Sequence, residues 1–194
     1  MIEKKKIALD LDGVTWNVHG ILLDIYNKKY HTNYTNNDIT FWDFLPEDRF
    51  WKCYKKMTKR MDEFKLFECD LEIYLDLLHY HFSITFLTHG IYEVDKIEKK
   101  LETFDIYKCK EYNDIIIMDH NNSKVHTNFD YYIDDNPNMI IDIQQYPKKT
   151  LLLFTQPWNN NIDVSIYNNV VRVKNWQEIM DYFLETISWK NAEY

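Results

Sequence analysis

Glycine and proline are scarce, three and four residues in a chain of 194. That scarcity excludes a linker-rich or low-complexity chain. Cysteine is scarce too. Cys53, Cys69 and Cys109 are odd in number and far apart, which excludes a disulfide scaffold, and no pair has the spacing of zinc ligands. They read as free thiols of a reducing compartment. No segment approaches the roughly 18 consecutive apolar residues of a membrane span. Met1 to Leu11 carries basic residues but only a three-residue apolar run before Asp10, so it is not a secretory leader. A soluble, cytoplasmic protein without a membrane partner is expected. Positive charge is also short: 23 Lys and Arg face 31 Asp and Glu, a formal net charge of -8. Binding to polymeric nucleic acid needs clustered basic residues, so no such partner is expected. A small anionic substrate stays open, because a bound metal ion inverts the local field.

Apolar side chains are plentiful. Hydrophobic residues make up 45% and aromatic residues 16% of the chain, enough to bury a core. Short apolar runs recur at Lys6–Asp10, Ser83–Thr88, Asp114–Asp119, Tyr131–Asp134 and Thr150–Phe154, with Val170–Val173 as a sixth. Continuous apolar runs without alternation suit strands covered on both faces, as in a parallel sheet. Between them, Leu71–Tyr80, Val94–Phe104 and Pro137–Tyr146 read as helices, the last opened by Asp135-Asn136-Pro137. A closing helix spans about Trp176–Ile187. Strand–helix alternation predicts an α/β fold, a Rossmann-like parallel sheet with helices on both faces. About 70 residues separate the first strand from the second. They show helix-like stretches at Val18–Tyr30 and Asp48–Glu63 and no clear strand. They read as a small helical cap inserted after the first strand, or else as extra helices beside the sheet.

Four signals carry chemistry. The first strand ends in Asp10-Leu11-Asp12-Gly13-Val14. Ligands of an open α/β sheet bind past the carboxyl ends of strands. Paired acids there are costly unless a cation or proton separates them; magnesium suits an all-oxygen site. A second acid pair, Asp134-Asp135, follows Tyr132-Ile133, with helix capping as a competing role for Asp135. Thr88 ends the second strand, where a hydroxyl and backbone N–H groups can hold phosphate oxygens. A lysine early in the next helix could neutralise phosphate charge. Lys96 is best placed, with Lys99 and Lys100 as competitors.

The order Asp-x-Asp, Thr, Lys, Asp-Asp, each at a strand end or helix start, resembles the haloacid dehalogenase (HAD) superfamily. A closer resemblance, to the 5'(3')-deoxyribonucleotidase family with its bacterial and phage members, covers nearly the whole chain. It rests on Asp10–Val14, on Asp38-Ile39-Thr40-Phe41-Trp42-Asp43, on Tyr132-Ile133-Asp134-Asp135-Asn136-Pro137, and on Arg172-Val173-Lys174-Asn175-Trp176-Gln177-Glu178-Ile179. The resemblance implies a HAD-like core of residues 1–14 and 70–194 with a helical cap of residues 15–69. It implies a phosphoric monoester hydrolase of 5'-nucleotidase type, dependent on Mg2+ and acting on (deoxy)nucleoside monophosphates; a homodimer is compatible with it. The implied roles are Asp10 as nucleophile, Asp12 as general acid and base, and Lys96 as the catalytic cation. Asp10, Asp134 and the Asp12 carbonyl would hold the metal. Thr88 and His89 would hold phosphate, and Phe41 and Trp42 would shape the base pocket or, alternatively, pack the cap. The chain departs from the family in having Glu68-Cys69-Asp70-Leu71 where a Pro-Gly pair is usual, and His89-Gly90 after Thr88. A 3'-phosphatase of nucleic-acid ends, a sugar-phosphate phosphatase and a non-catalytic nucleotide-binding module are the alternatives.

Overall fold

The computed structural model describes residues 4–106 and 114–191, with side chains to residue 187; Cys109 lies outside them. Its elements run β1 (Lys5–Leu9), β2 (Trp16–Asn17), α1 (His19–Tyr30), α2 (Glu47–Met57), β3 (Lys65–Leu66), α3 (Leu71–His81), β4 (Phe82–His89), α4 (Val94–Glu102), β5 (Ile115–Met118), β6 (Tyr131–Asp134), α5 (Met139–Ile143), β7 (Thr150–Phe154), β8 (Val170–Val173) and α6 (Trp176–Asn191). Six strands form one sheet in the order β5-β4-β1-β6-β7-β8, and every pairing is parallel. The fold is the α/β, Rossmann-like architecture expected, and all six anticipated strands are present. Among the described residues no helix is long and apolar enough to cross a membrane.

The chain steps outward from β1 through β4 to β5, then returns to the other side of β1 and proceeds through β6, β7 and β8. The direction of travel reverses between β1 and β6. At such a switch point the connecting loops part and leave a crevice past the strand ends. Two apolar clusters cover the sheet, one on each face. Ile7, Leu9 and Ile133 join Trp176, Phe183 and Leu78 in one, while Ala8, Tyr132 and Leu151 join Ile140 and Ile143 in the other. The alternation along β1 is the period-2 pattern of a strand buried on both faces. Apolar residues of α1 and α2, such as Leu22, Tyr26, Cys53 and Met57, belong to the first cluster.

Four expectations need correction. The insert contains a two-residue antiparallel ribbon, Trp16 facing Leu66 and Asn17 facing Lys65, too short to leave a periodic signal. The helix expected over Asp48–Glu63 is α2 followed by a 3-10 segment, Thr58–Glu63. The helix expected from Pro137 begins only at Met139. Asn136 N–H donates to Asp134 Oδ1 and Asn138 N–H to Asn136 Oδ1, both at 2.9 Å. These two side-chain turns keep residues 134–138 out of the helix. The helix expected to reach Phe104 ends at Glu102, and Asp105 turns the chain with φ of 61°, a left-handed close of a common kind.

Candidate active site

β1 and β6 bring two acids to one place. Leu9 is in register with Ile133, and Asp10 N–H donates to the Ile133 carbonyl at 3.0 Å. Asp10 and Asp134 therefore emerge from adjacent parallel strands into the crevice. Carboxylate oxygens of Asp10, Asp134 and Asp135 all lie within 4.8 Å of one another, and all three residues are buried. Asp135 turns inward and does not cap α5, which has no side-chain cap.

Gly13 makes this convergence possible. Its φ is +83°, and a Cβ there would stand 1.9 Å from Asp135 Oδ2. Only glycine both adopts that conformation readily and leaves room for the carboxylate. The loop is tied on its other side by Thr15, whose hydroxyl donates to the Asp10 carbonyl at 2.7 Å. Gln156 Nε2 donates to the Gly13 carbonyl at 2.6 Å. Asn159, fully buried, donates to the carbonyls of Asp135 and Phe154 at 2.9 and 2.8 Å. Its own amide oxygen accepts from Arg172 at 3.2 Å. The Asn-rich patch and the terminal Arg172 thus brace the loop that carries the second acid pair.

One cation stands among the acids. Lys124 Nζ lies 2.8 Å from Asp10 Oδ1 and 2.6 Å from Asp134 Oδ2, and the lysine is buried. It arises from the short 3-10 segment Lys124–His126 after β5. Burial alone would pull its pKa down, but the Asp10 and Asp134 carboxylates outweigh burial and hold it above the usual lysine range. Burial pushes Asp10 up to about 7 against the pull of Lys124, with Asp134 adding to the rise. Burial, then Asp10 and Asp134, push Asp135 well above the ordinary carboxylate range. When all three carboxyls are ionised they exceed the Lys124 ammonium by two negative charges, and Asp135 Oδ2 is buried without a hydrogen-bond partner. Three clustered carboxyl groups with that excess and an orphaned oxygen fit a divalent cation such as magnesium.

Lys96, the cation expected, is not in this site. It is exposed and its Nζ pairs with Glu93 at 2.7 Å. Among its competitors Lys99 is exposed and Lys100 Nζ donates to the Asp62 carbonyl. No residue of α4 lines the crevice, whereas residues 120–124 of the connection from β5 to β6 do, with the Asn122 carbonyl 2.8 Å from His89 Nε2 at the end of β4. Lys124 is the one lysine between the end of β5 and Tyr131, a signal legible once the anchoring strands are fixed.

Asp12 lies on the wall of the same crevice, but its carboxylate is not part of the acidic group and is held by other donors. Trp16 Nε1 donates to Oδ1 at 2.6 Å, Tyr92 hydroxyl reaches Oδ1 at 2.7 Å and Oδ2 at 2.9 Å, and Tyr54 hydroxyl donates to Oδ2. Burial raises its pKa although these three donors pull it down. Asp135, not the Asp12 side chain, completes the acidic group.

Thr88 is buried at the end of β4 and lines the crevice. His89 lines it as well; its Nε2 lies 2.8 Å from the Asn122 carbonyl. Burial lowers the His89 pKa. The crevice opens into a cavity of about 720 Å³, within the range of small-molecule sites. Trp42, Phe50, Trp51 and Trp158 supply its aromatic walls. Trp42 stands edge-on to Trp158 at 6.4 Å, and His19, its pKa pushed by burial down to about 4, lies 4.1 Å from the Trp158 ring. Phe41 does not line the cavity; it is exposed and packs edge-on against Phe44 at 5.5 Å.

Known folds share this arrangement. A haloacid dehalogenase-like hydrolase from Streptococcus pneumoniae superposes with a TM-score of 0.63 at 15% identity, covering 94% of this chain and all of that one. A haloacid dehalogenase-like family hydrolase from Xanthomonas campestris gives 0.59 at 6% identity, covering 98% and 99%. A predicted phosphoglycolate phosphatase from Haemophilus somnus gives 0.62 at 14% identity, covering 94% and 99%. At these identities the likeness shows the fold. No curated protein sequence matches the chain significantly. Residues 4–188 match the family model described as 5' nucleotidase, deoxy (pyrimidine), cytosolic type C. With nearly all of its length so matched, this chain belongs to the 5' nucleotidase, deoxy (pyrimidine), cytosolic type C family, and is a phosphatase of the haloacid dehalogenase type.

Proposed function

We propose that this chain is a Mg2+-dependent 5'-nucleotidase that hydrolyses (deoxy)nucleoside monophosphates through an aspartyl-phosphate on Asp10. The observation that carries the reading is the Asp10 carboxylate at the floor of an aromatic-walled cavity, beside Lys124 and a second acid pair. The cavity has room for a nucleoside, and stacking on aromatic side chains is a sequence-tolerant way to hold a base. Trp42, Trp51 and Trp158 are the residues proposed for that contact. Residues 15–69 act as the cap that carries the first two, on a core of residues 1–14 and 70–194. Cytoplasmic residence belongs to the same reading.

Asp10, Asp134 and Asp135 would hold the metal, which when bound supplies charge neutralisation at the phosphoryl oxygens. Lys124 favours the ionised form of Asp10 against the effect of burial and takes part of the phosphate charge. Thr88 hydroxyl and the backbone N–H groups after β4 hold the remaining oxygens. In the first step an Asp10 oxygen bonds to phosphorus, the ester P–O bond breaks, and Asp12 passes its proton to the departing alcohol. In the second, Asp12 takes a proton from the water that attacks the phosphorus. The acyl phosphate then breaks, inorganic phosphate leaves, and Asp10 returns as carboxylate.

The test is turnover of dUMP and dTMP with Mg2+, set beside a 3'-phosphorylated oligonucleotide and a sugar phosphate. Preference for the mononucleotides, lost with EDTA, is expected. Preference for the oligonucleotide would move the activity to nucleic-acid ends. Binding of the mononucleotides without turnover of any ester would make the chain a nucleotide-binding module.

A further inference from the structure

Three side chains from three segments converge on the Asp12 carboxylate: Trp16 from β2, Tyr54 from α2, and Tyr92 from the turn before α4. All three are buried. Their rings also pack together, Trp16 on Tyr92 at 6.3 Å and Tyr54 on Tyr92 at 5.9 Å, with Phe64 closing the group. Packing alone would not call for hydroxyls, since phenylalanine fills the same volume. A phenol buried among rings costs free energy unless its hydroxyl finds a partner, and both phenols find the same carboxylate. Gly90 supplies an independent sign that this geometry is built. A Cβ there would stand 2.8 Å from Tyr92 Cδ2 and 3.0 Å from the Tyr54 hydroxyl oxygen. A larger residue would force the Tyr92 ring to shift and crowd the Tyr54 hydroxyl.

We infer that Tyr54 and Tyr92 are positioning residues that fix the Asp12 carboxylate at the leaving-group oxygen while the P–O ester bond breaks. The inference rests on the role of Asp12 as general acid proposed above. Tyr54 sits one turn along α2 from Trp51, which lines the cavity where the leaving group would lie. α2 therefore carries both a ring of the cavity wall and a donor to the acid. A carboxyl released from its donors would sample several rotamers, and few of them would reach the ester oxygen.

The experiment measures kcat/KM, which reports steps up to leaving-group departure, for Mg2+-loaded protein on a series of substituted phenyl phosphates. The leaving phenols run from strongly to weakly acidic. A good leaving group needs little protonation and a poor one needs much, so a misplaced acid steepens the dependence on leaving-group acidity. Tyr54→Phe and Tyr92→Phe should each lose about tenfold on the least acidic phenol and no more than about threefold on p-nitrophenol. Asp12→Asn should steepen the dependence further in the same sense. Gly90→Ala, which crowds Tyr92 and the Tyr54 hydroxyl, gives a third reading should either phenylalanine variant fold poorly. Equal loss across the series, or none, would overturn the inference while leaving the phosphatase intact. Absence of wild-type turnover on every ester would overturn both together.

Discussion

At the scale of single residues, the site is governed by fit within a crowded acidic group. Asp10→Asn should abolish hydrolysis while the circular dichroism of the fold is retained; substantial residual turnover would remove Asp10 from its role. Gly13→Ala forces a Cβ onto Asp135 Oδ2 in a conformation unfavourable to alanine. It should cost about 1–3 kcal/mol in urea denaturation and weaken Mg2+ binding in a calorimetric titration. Lys124→Met leaves neighbouring carboxylates without their buried cation and should lower kcat/KM about a hundredfold or more. Lys96→Ala, whose loss breaks only an exposed pair with Glu93, should stay within about twofold of wild type. The opposite ranking of the two lysines would return the role to α4. Lys96 is a natural inference from sequence because it follows Thr88 closely. Nearness in sequence is a poor guide here, since no residue of α4 lines the crevice while residues 120–124 of the β5–β6 connection do.

At the scale of elements, strand ends place the acids, and α2 with its flanking loops lines the cavity above them. Ile7, Leu9 and Ile133 are wholly or almost wholly buried, so β1 and β6 form a rigid floor from which Asp10 and Asp134 project. The aromatics belong to the insert and to the loop after β7, and they line the cavity without hydrogen-bonding the clustered acids; on the proposed function they meet the nucleoside. Trp42→Ala should therefore raise KM for a nucleoside monophosphate far more than for p-nitrophenyl phosphate, in steady-state kinetics under saturating Mg2+. Equal effects on both esters would make Trp42 a packing residue. The insert was only partly legible in sequence. Its two helices have long periodic stretches, but the β2–β3 ribbon is two residues on each strand, below the length at which alternation can be seen. The loss of helix at Pro137 follows from Asp134 and Asn136 accepting backbone hydrogens, a competition that a start signal at Asn136-Pro137 does not reveal.

At the scale of the whole molecule, an acidic chain concentrates charge at its own switch point. Mg2+ should raise the Tm, because it binds a preorganised native cluster and no equivalent in the unfolded chain. The metal-free protein should show the cost of the cluster. Asp10 and Asp135 have folded pKa values above their unfolded ones, Asp10 at about 7. These two carboxyls bind protons more readily in the native state, so their contribution to stability falls as pH rises from 4 to 7, against the opposing rise from His19, which burial pushes down to about 4. Asp135→Asn removes one of these ionisations. In urea denaturation without metal the variant should be the more stable at pH 7 and should show the shallower decline from pH 4, while its Mg2+ affinity falls. A variant less stable than wild type at pH 7 would mean that the Asp135 carboxylate is not strained in the native state.

The sequence by itself determined the sheet, its six strands and the identity of the two acid pairs. Continuous apolar runs ending in acids can be buried on both faces only as parallel strands with polar tips at one edge. Tertiary structure alone decided which cation and which donors serve those acids. Lys124 reaches Asp10 across 114 positions of sequence offset as read from their numbers, and Tyr54 and Tyr92 meet on Asp12 from separate segments. Such contacts depend on how connections cross the crevice and on space left by glycines at positions 13 and 90. Local pattern encodes the burial of an element, whereas the meeting of side chains from different connections is fixed only when the elements pack.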